Sequence, residues 1–208
     1  MLHVIYDISP LIDGKLQVWP GDTAPSRETL CDIEEGSNIT LSTLHATVHL
    51  GSHADAPVHY GKGAPSMAER SLDYYLGRCQ VVSVDVGRGQ RISPDHLKEK
   101  ATAERILFRT GTYPDPTVFN EDFAAFSPEL IDLLHESGVR LIGIDTPSVD
   151  LFASKGLPAH QALLRHDMAN LEGLVLKDVP DGTYDLCALP LKLKGYDGSP
   201  VRAVLRSL

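Results

Sequence analysis

The chain has 208 residues, with 19 Lys and Arg against 28 Asp and Glu, which gives a formal net charge of −9. Hydrophobic residues make up 42% of the chain and charged residues 23%, a balance typical of folded globular proteins and not of disordered ones. The acidic balance argues against a nucleic-acid-binding protein, because few cations remain to neutralise a row of phosphates. The sequence contains no run of about 18 apolar residues, so we expect no membrane-spanning segment.

Length and cysteine usage predict one domain over residues 1–208 in a reducing compartment. A chain of this length commonly forms one domain, and neither a repeat nor a Gly/Ser linker divides it. Cys31, Cys79 and Cys187 are far apart and odd in number, which is not typical of a disulfide framework. The N-terminal residues lack the basic start and the long apolar stretch of a signal peptide. We therefore expect a cytoplasmic protein.

The first part of the chain predicts short strands joined by turns. In chain order, these strands cover residues 3–8, 27–33 and 40–49. Within the third, Leu44, Ala46 and Val48 fall on one face, whereas His45 and His49 fall on the other. This alternation is typical of a half-buried strand.

The second part adds helices to the pattern. Ser93-Pro94 and Ser127-Pro128 each place an N-cap serine before a proline at the first helical position. The predicted helices cover residues 93–100, 127–138 and 158–165, and the predicted strands cover 80–86, 106–108, 139–144, 174–176, 187–193 and 201–205. Strands with a few interleaved helices predict a mixed α/β domain with much antiparallel pairing.

The candidate chemistry is concentrated in one segment, His49-Leu50-Gly51-Ser52-His53-Ala54-Asp55-Ala56-Pro57-Val58-His59. In an extended chain residues 49, 51, 53 and 55 point the same way, so His49, His53 and Asp55 are expected to converge. Imidazole and carboxylate are ligands that zinc, manganese and similar ions prefer, and three protein ligands leave an open coordination position for catalysis. The alternative is an exposed polar loop that happens to be rich in histidine.

His59 follows Pro57 and is displaced from the first three candidate ligands. A histidine beside a metal-activated water is a natural proton shuttle, because its pKa lies near neutrality. The same position also suits a fourth ligand or a hydrogen-bonding partner of a ligand. The spacing does not separate these roles.

Two further sequence features bear on function. Trp19 precedes Pro20-Gly21, a turn in which a core residue is less expected, so it is a candidate for stacking on an aromatic substrate as well as for core packing. The sequence contains no G-x-S-x-G, so the serine nucleophile of an α/β-hydrolase is not predicted.

The window H-x-G-S-H-x-D-x-P-x-H resembles the signature of the cyclase-like metal-dependent hydrolases, whose best-known members are the bacterial kynurenine formamidases (arylformamidases). The family usually has Thr where this chain has Ser52, and the hydroxyl is kept. The resemblance extends to Val18-Trp19-Pro20-Gly21-Asp22, to residues 143–150, and to Ala159-His160 followed by Asn170-Leu171-Glu172.

The resemblance implies a homodimer of a cyclase-like α/β fold, a swivelling β/β/α arrangement with a mixed, partly antiparallel sheet. It implies two zinc ions per subunit, one held by His49, His53, Asp55 and Glu172 and the other by Asp55, His160 and Glu172. Without the resemblance His160 and Glu172 are unremarkable, since lone His and Glu residues usually lie at the surface or cap helices. In the formamidases the tryptophan that matches Trp19 lines the substrate pocket.

The reaction that the resemblance implies is zinc-dependent hydrolysis of N-formyl-L-kynurenine to L-kynurenine and formate, a step of tryptophan degradation. An activated water attacks the formyl carbon, and His59 is expected to move the proton that the leaving nitrogen needs. The metal motif serves the water and not the substrate, so a related hydrolase of another aromatic or cyclic amide, such as isatin, is the alternative. A non-catalytic metal- or ligand-binding protein on the same fold is the third possibility.

Overall fold

A computed structural model describes residues 3–208; Met1 and Leu2, the first residues of the domain predicted over 1–208, lie outside the described residues. The helices of the described chain are α1 (Pro128–Glu136) and α2 (Pro158–Arg165). The strands are β1 (Ile5–Asp7), β2 (Ser26–Cys31), β3 (Leu41–His45), β4 (His53–Asp55), β5 (Leu76–Ser83), β6 (Arg91–Ile92), β7 (Arg105–Arg109), β8 (Ala125–Phe126), β9 (Leu141–Ile144), β10 (Ala169–Glu172), β11 (Gly182–Cys187), β12 (Gly198–Pro200) and β13 (Val204–Ser207).

Nine strands form one mixed sheet, in the order β1-β13-β11-β5-β7-β9-β10-β4-β12. The central strands β5, β7, β9 and β10 pair in parallel, and the strands on both sides of them pair antiparallel. Parallel strands are covered on both faces; in β7, Ile106 and Phe108 pack into one hydrophobic cluster and Leu107 packs into another. The mixed α/β class predicted from the sequence is confirmed.

Both helices pack on one face of this sheet, where they bury residues such as Leu130, Leu134 and Leu163. The predicted start of α1 is confirmed, because the Ser127 hydroxyl accepts a hydrogen bond from the Leu130 backbone N–H and Pro128 follows it. Neither helix of the described chain has the length and the apolar character that crossing a bilayer requires.

The helix predicted over 93–100 is wrong. The structure has a single 3-10 turn at Pro94–His96. The His96 ring accepts a hydrogen bond from the Ser93 backbone N–H, and the chain becomes extended at Leu97. The N-terminal signal was therefore interpreted correctly, but the turn ends before an α-helix forms.

Two of the predicted C-terminal strands are also wrong. The strand predicted over 187–193 begins where the observed strand β11 (Gly182–Cys187) ends. Pro190 lies within the predicted range and lacks the N–H that a β-ladder needs. The strand predicted over 174–176 lies earlier as well, because β10 ends at Glu172 and Gly173 turns the chain with φ of 64°. The strand predicted over 201–205 corresponds to β13, which begins at Val204.

Candidate metal centre and its cavity

The sheet register brings four polar side chains to one face. Strand β4 lies between β10 and β12, and His53 of β4 pairs with Glu172 of β10. Side chains alternate along a strand, so His53 and Asp55 share a face, and so do Asn170 and Glu172. All four residues are buried. The convergence of His53 and Asp55 therefore follows from the two-residue spacing that the sequence displays.

The His53 ring is fixed by a backbone carbonyl. Its Nδ1 donates a hydrogen bond to the Gly51 carbonyl oxygen at 2.9 Å. In the neutral ring, Nε2 then carries the lone pair. Nε2 lies 3.2 Å from Glu172 Oε2 and 3.5 Å from Asp55 Oδ1. A lone pair that faces two carboxylates is repulsive unless a proton or a metal ion lies between them.

His160 is held in the same way from the start of α2. Asp150 caps this helix by accepting hydrogen bonds from its first backbone N–H groups, and the same carboxylate accepts from His160 Nδ1 at 2.9 Å. His160 Nε2 lies 3.4 Å from Asp55 Oδ2 and 3.6 Å from Glu172 Oε1. One aspartate thus fixes both the helix terminus and the ring.

His49 reaches the site by a route that differs from the predicted one. Strand β3 ends at His45, and the chain bends before Gly51, which has φ of 55°. The prediction of a strand over 40–49, and of an extended chain that aligns His49 with His53, is therefore wrong, because a left-handed glycine breaks the alternation of a strand. The bend nevertheless brings His49 Nδ1 to 3.0 Å from Asp55 Oδ1.

The far side of the His49 ring is bounded by the start of β12. Its Nε2 donates a hydrogen bond to Asp197 Oδ2 at 3.0 Å. A Cβ atom on the next residue, Gly198, would lie 3.0 Å from His49 Cε1. The ring keeps this position because the residue beside it has no side chain.

The three histidines share one arrangement. In each, one ring nitrogen is held by an acceptor that faces away from the site, and the other nitrogen faces the carboxylates of Asp55 and Glu172. Metal-ligating histidines are oriented by outer acceptors of this kind. The outer acceptors here are the Gly51 carbonyl for His53, Asp150 for His160 and Asp197 for His49.

An unpartnered carboxylate oxygen supports the same interpretation. The amide nitrogen of Asn170 donates to Asp55 Oδ2 at 2.8 Å and to Glu172 Oε1 at 3.1 Å. The other oxygen of Asp55, Oδ1, is buried and accepts no hydrogen bond; the polar atoms that face it are His49 Nδ1 and His53 Nε2, which carry lone pairs in the neutral rings. A buried charged oxygen without a partner is costly. The donor set of three imidazoles and two carboxylates therefore fits a divalent cation such as zinc.

The pKa values of these groups reflect their mutual attraction. Burial lowers the pKa of His49, but Asp55, Asp197 and Glu172 together more than offset this and raise it to about 9. Burial also lowers the pKa of His160, yet Asp150 and Asp55 raise it to about 10. Burial raises the pKa of Asp55, but His160 and His49 hold it well below its usual range. In the metal-free protein, protons on the imidazoles therefore balance the carboxylates.

His59 lies at the edge of this cluster, at the end of a 3-10 turn over Pro57–His59. Its ring centroid lies 4.3 Å from that of His49 and 6.1 Å from that of His160. With 36% of its side chain exposed, it is the most accessible of the four histidines. Its ring nitrogens also group with the ligand atoms of Asp55 and His160. The geometry thus keeps both roles open, proton carrier and ligand.

A cavity of about 490 Å³ opens onto the cluster. His49, His53, His59, His160 and Glu172 line this cavity, and the lining also includes apolar and aromatic residues, among them Trp19, Tyr113, Phe119, Leu16 and Leu174. Trp19 contacts Phe152 and Phe119 with ring centroids at 4.9 and 5.8 Å. Trp19 therefore both packs in an aromatic cluster and lines the cavity.

Comparison with protein families identifies the group to which this sequence belongs. A model of the Cyclase family, described as "Putative cyclase", matches residues 6–151, which is more than half of the chain. The chain belongs to the cyclase family. The matched region includes His49, His53, Asp55 and His59, whereas His160 and Glu172 lie beyond it.

Solved structures similar to this cyclase-family chain cover nearly all of it. A potential metal-dependent hydrolase with cyclase activity is 28% identical, with a TM-score of 0.85, over 100% of this chain and 99% of the other. A predicted metal-dependent hydrolase from Bacillus stearothermophilus is 27% identical, with a TM-score of 0.79 and 99% of each chain covered. Isatin hydrolase A from Labrenzia aggregata, bound to benzyl benzoate, is 23% identical, with a TM-score of 0.84, over 98% of this chain and 93% of the other, and shows the shared fold.

Sequence reasoning missed the residues that hold the ligands. Asp150 and Asn170 lie within the segments that carry the family resemblance, but their contacts depend on the pairing of distant elements. Strand alternation could have placed Asn170 beside Glu172. Nothing in the sequence around Asp197 and Gly198 indicates that they lie against His49.

Proposed function

We propose that this protein is a metal-dependent hydrolase that cleaves the formyl amide of N-formyl-L-kynurenine to give L-kynurenine and formate. The observation that carries the proposal is the convergence of three oriented imidazoles and two carboxylates at the wall of an aromatic cavity. The similarity to two metal-dependent hydrolases over the whole chain supports the hydrolase class.

The residues proposed to hold the metal are His49, His53, Asp55, His160 and Glu172. We propose two zinc ions, since carboxylates can bridge a pair of cations and both acids here face more than one imidazole. When bound, the ions would lower the pKa of a water to about 7 and polarise the amide carbonyl. The chain itself supplies the orientation of the ligands through Asp150, Asp197 and Gly51.

His59 is proposed to move the proton of the reaction. Amide hydrolysis adds water to the formyl carbon and must deliver a proton to the departing aryl nitrogen, because an amide anion is a poor leaving group. His59 lies on the cavity wall beside His49 with 36% of its side chain exposed, so that substrate in the cavity and solvent can both reach it. It can accept a proton from the water and pass it to the nitrogen.

Trp19 is proposed to bind the aromatic ring of the substrate. It lines the cavity and packs against Phe152 and against Phe119, which also lines the cavity. A flat aromatic wall stacks favourably on an aryl group. This contact would hold the aryl group in the same cavity that the candidate metal ligands line.

Isatin, a cyclic aromatic amide, is the second candidate substrate. N-formyl-L-kynurenine carries a carboxylate, which calls for a cation in the cavity. The Arg109 guanidinium is already engaged by the Val179 carbonyl, Ser83 and Asp181, which leaves Lys177 as the lining Lys or Arg side chain available for an anion. A neutral ring needs no such cation, and this favours isatin as the alternative.

The deciding experiment measures hydrolysis of both substrates by protein of known metal content, before and after chelation and after zinc is returned. We expect turnover of N-formyl-L-kynurenine that chelation abolishes and zinc restores, with kcat/KM of about 10⁴ M⁻¹s⁻¹ or more. Turnover of isatin without turnover of N-formyl-L-kynurenine would identify the cyclic amide as the substrate. Bound zinc without turnover of either substrate would indicate a binding protein, and activity in metal-free protein would overturn the mechanism.

We also propose that the protein is a homodimer. Among the described residues, β2 and β3 pair with each other and with no third strand, and Leu30, Leu41 and Leu44 are exposed on this hairpin. A two-stranded hairpin is marginally stable alone in water, so a second copy of the chain is a suitable cover. Light scattering should give twice the mass of one chain, and the mass of one chain would refute the dimer.

The proposed site of action is the cytoplasm. Cys31, Cys79 and Cys187 are free in the structure, and reducing conditions keep such thiols unpaired.

A further inference from the structure

Asp197 lies where the metal centre meets the proposed proton carrier. Its Oδ2 lies 3.0 Å from His49 Nε2 and 3.4 Å from His59 Nδ1. One carboxylate oxygen therefore contacts two imidazoles, of which one is a proposed ligand and the other is the proposed proton carrier.

The backbone around Asp197 makes this position well defined. Its carbonyl accepts a hydrogen bond from the Ala56 backbone N–H at 2.8 Å. The next residue, Gly198, pairs with Asp55 in the β4–β12 ladder. Asp197 is thus tied to the same segment that carries Asp55 and continues into His59, although half of its side chain is exposed.

We propose that Asp197 is a positioning residue that orients His49 for metal binding and His59 for proton transfer. The inference rests on the proposed function for its His59 half, whereas its His49 half concerns metal binding alone. On His49, Asp55 faces Nδ1 and Asp197 faces Nε2, so Asp197 holds the ring from the side opposite the candidate ligand atom. The same Asp197 oxygen also lies 3.4 Å from His59 Nδ1.

Two different chemical effects follow from this one contact. On His49, an outer carboxylate that accepts from Nε2 leaves Nδ1 as the ligand atom and increases its basicity. On His59, the same carboxylate favours the proton on Nδ1, so that Nε2 is free to take and return a proton at the substrate. A carboxylate in this position also stabilises the imidazolium that forms in transit.

The metal half is tested by titrating metal-free protein with Zn²⁺ against a chromogenic chelator. We expect Asp197→Asn to weaken zinc binding by about 10–100-fold and Asp197→Glu to recover part of the loss, because it restores the charge. Asp85→Asn, at an exposed aspartate far along the chain, is the matched control and should bind as the wild type does. Unchanged affinity in Asp197→Asn would overturn the His49 half. Loss of one whole equivalent of zinc would make Asp197 a ligand and overturn the positioning role.

The proton-transfer half is tested by a double-mutant cycle at saturating zinc. We expect Asp197→Asn to lower kcat by about 10–100-fold with little change in KM. In a His59→Ala background the same substitution should have no further effect on kcat, because its effect passes through the ring that is gone. Independent, multiplicative losses would overturn the His59 half.

The two measurements separate the failure of this inference from the failure of the proposed function. If neither amide is hydrolysed, the proposed function fails and the His59 half fails with it. The zinc titration needs no substrate and still decides the His49 half. Asp197→Ser, titrated in parallel, keeps the test valid if the Asn variant does not fold.

Discussion

At Gly198 the backbone of β12 passes close to the imidazole of His49. The ring is bounded by this backbone on one side and by Asp55 on the other, and its two nitrogens are 3.0 Å from Asp55 and from Asp197. These contacts restrict how far the ring can move away from Asp55. The absence of a Cβ atom at Gly198 therefore contributes to the geometry of the candidate metal site.

The substitution Gly198→Ala tests this dependence on free space. We expect it to displace the His49 ring and to weaken zinc binding by about tenfold, the low end of the effects seen when the surroundings of a ligand are disturbed. The control is Gly14→Ala, where a Cβ atom would meet nothing within 4 Å. Zinc titration of the two variants checks the prediction, and equal affinities would refute it.

A second prediction at the residue scale concerns His59. His59→Ala should lower kcat by about 10²–10⁴-fold, the usual contribution of a general acid–base group, while the zinc content stays intact. His45→Ala is the control, because His45 lies exposed on the hairpin and pairs with Glu28. Metal analysis and steady-state kinetics check the outcome, and loss of zinc in His59→Ala would identify the residue as a ligand.

The sequence predicted the residues of the site better than their route to it. His53 and Asp55 share a face because side chains two residues apart lie on the same face of any strand. His49 joins them for another reason, since its position depends on the left-handed turn at Gly51 and on β12, which lies far away in the sequence. Asp197 could not be predicted at all, because no local pattern records which distant loop packs against a ring.

At the scale of elements, the start of α2 links folding to the site. The residue before Pro158, Leu157, has a left-handed conformation and no capping side chain, so Asp150 takes over this role from outside the helix. The start of α1 is capped locally by Ser127, as the sequence predicted. The cap of α2, Asp150, also contacts the candidate ligand His160, whereas Ser127, the cap of α1, caps its helix locally.

Removing one cap should change the stability of the protein, whereas altering the other should change its zinc affinity. Ser127→Ala should lower the stability of the protein by about 1 kcal/mol, a shift in Tm of roughly 2–4 °C, and leave zinc affinity unchanged. Asp150→Asn keeps an acceptor for the helix but removes the charge beside His160, so it should weaken zinc binding by about 10–100-fold. Thermal unfolding and zinc titration of both variants check this, and a loss of zinc affinity in Ser127→Ala would contradict it.

The strands that were predicted wrongly share a physical cause. The runs 174–176 and 187–193 are rich in apolar residues, but an apolar composition alone does not make a strand; Leu174 and Leu176 are buried, whereas Leu189 and Leu191 are exposed. Leu174 and Val175 still donate backbone hydrogen bonds to Ile144 and Ile8, although Gly173 has turned the chain out of β10. An apolar composition therefore did not predict where these strands end, because their limits depend on single residues such as Gly173 and Pro190.

For the molecule as a whole, the balance of charge links metal binding to folding. The chain carries a net charge of −9, and buried carboxylates are concentrated around the three imidazoles of the candidate site. Without metal, protons on these rings provide the compensating positive charge, which is why the pKa of His49 rises to about 9 and that of His160 to about 10. A bound cation replaces those protons, so protons and metal compete for one site.

This competition predicts how stability changes with pH. The folded-state pKa values of His49 and His160, about 9 and 10, lie above the ordinary value of 6.5 that applies to the unfolded chain. Their contribution to stability is therefore fully present below pH 6.5 and is lost as the pH rises toward 9–10.

Zinc needs the deprotonated rings, so its stabilising effect should increase over the same range. We expect the rise in Tm on adding zinc to be larger at about pH 8.5 than at about pH 6. His45→Gln should keep this dependence, since His45 lies outside the cluster, and a rise in Tm that is independent of pH would show that protons and zinc do not compete at these histidines.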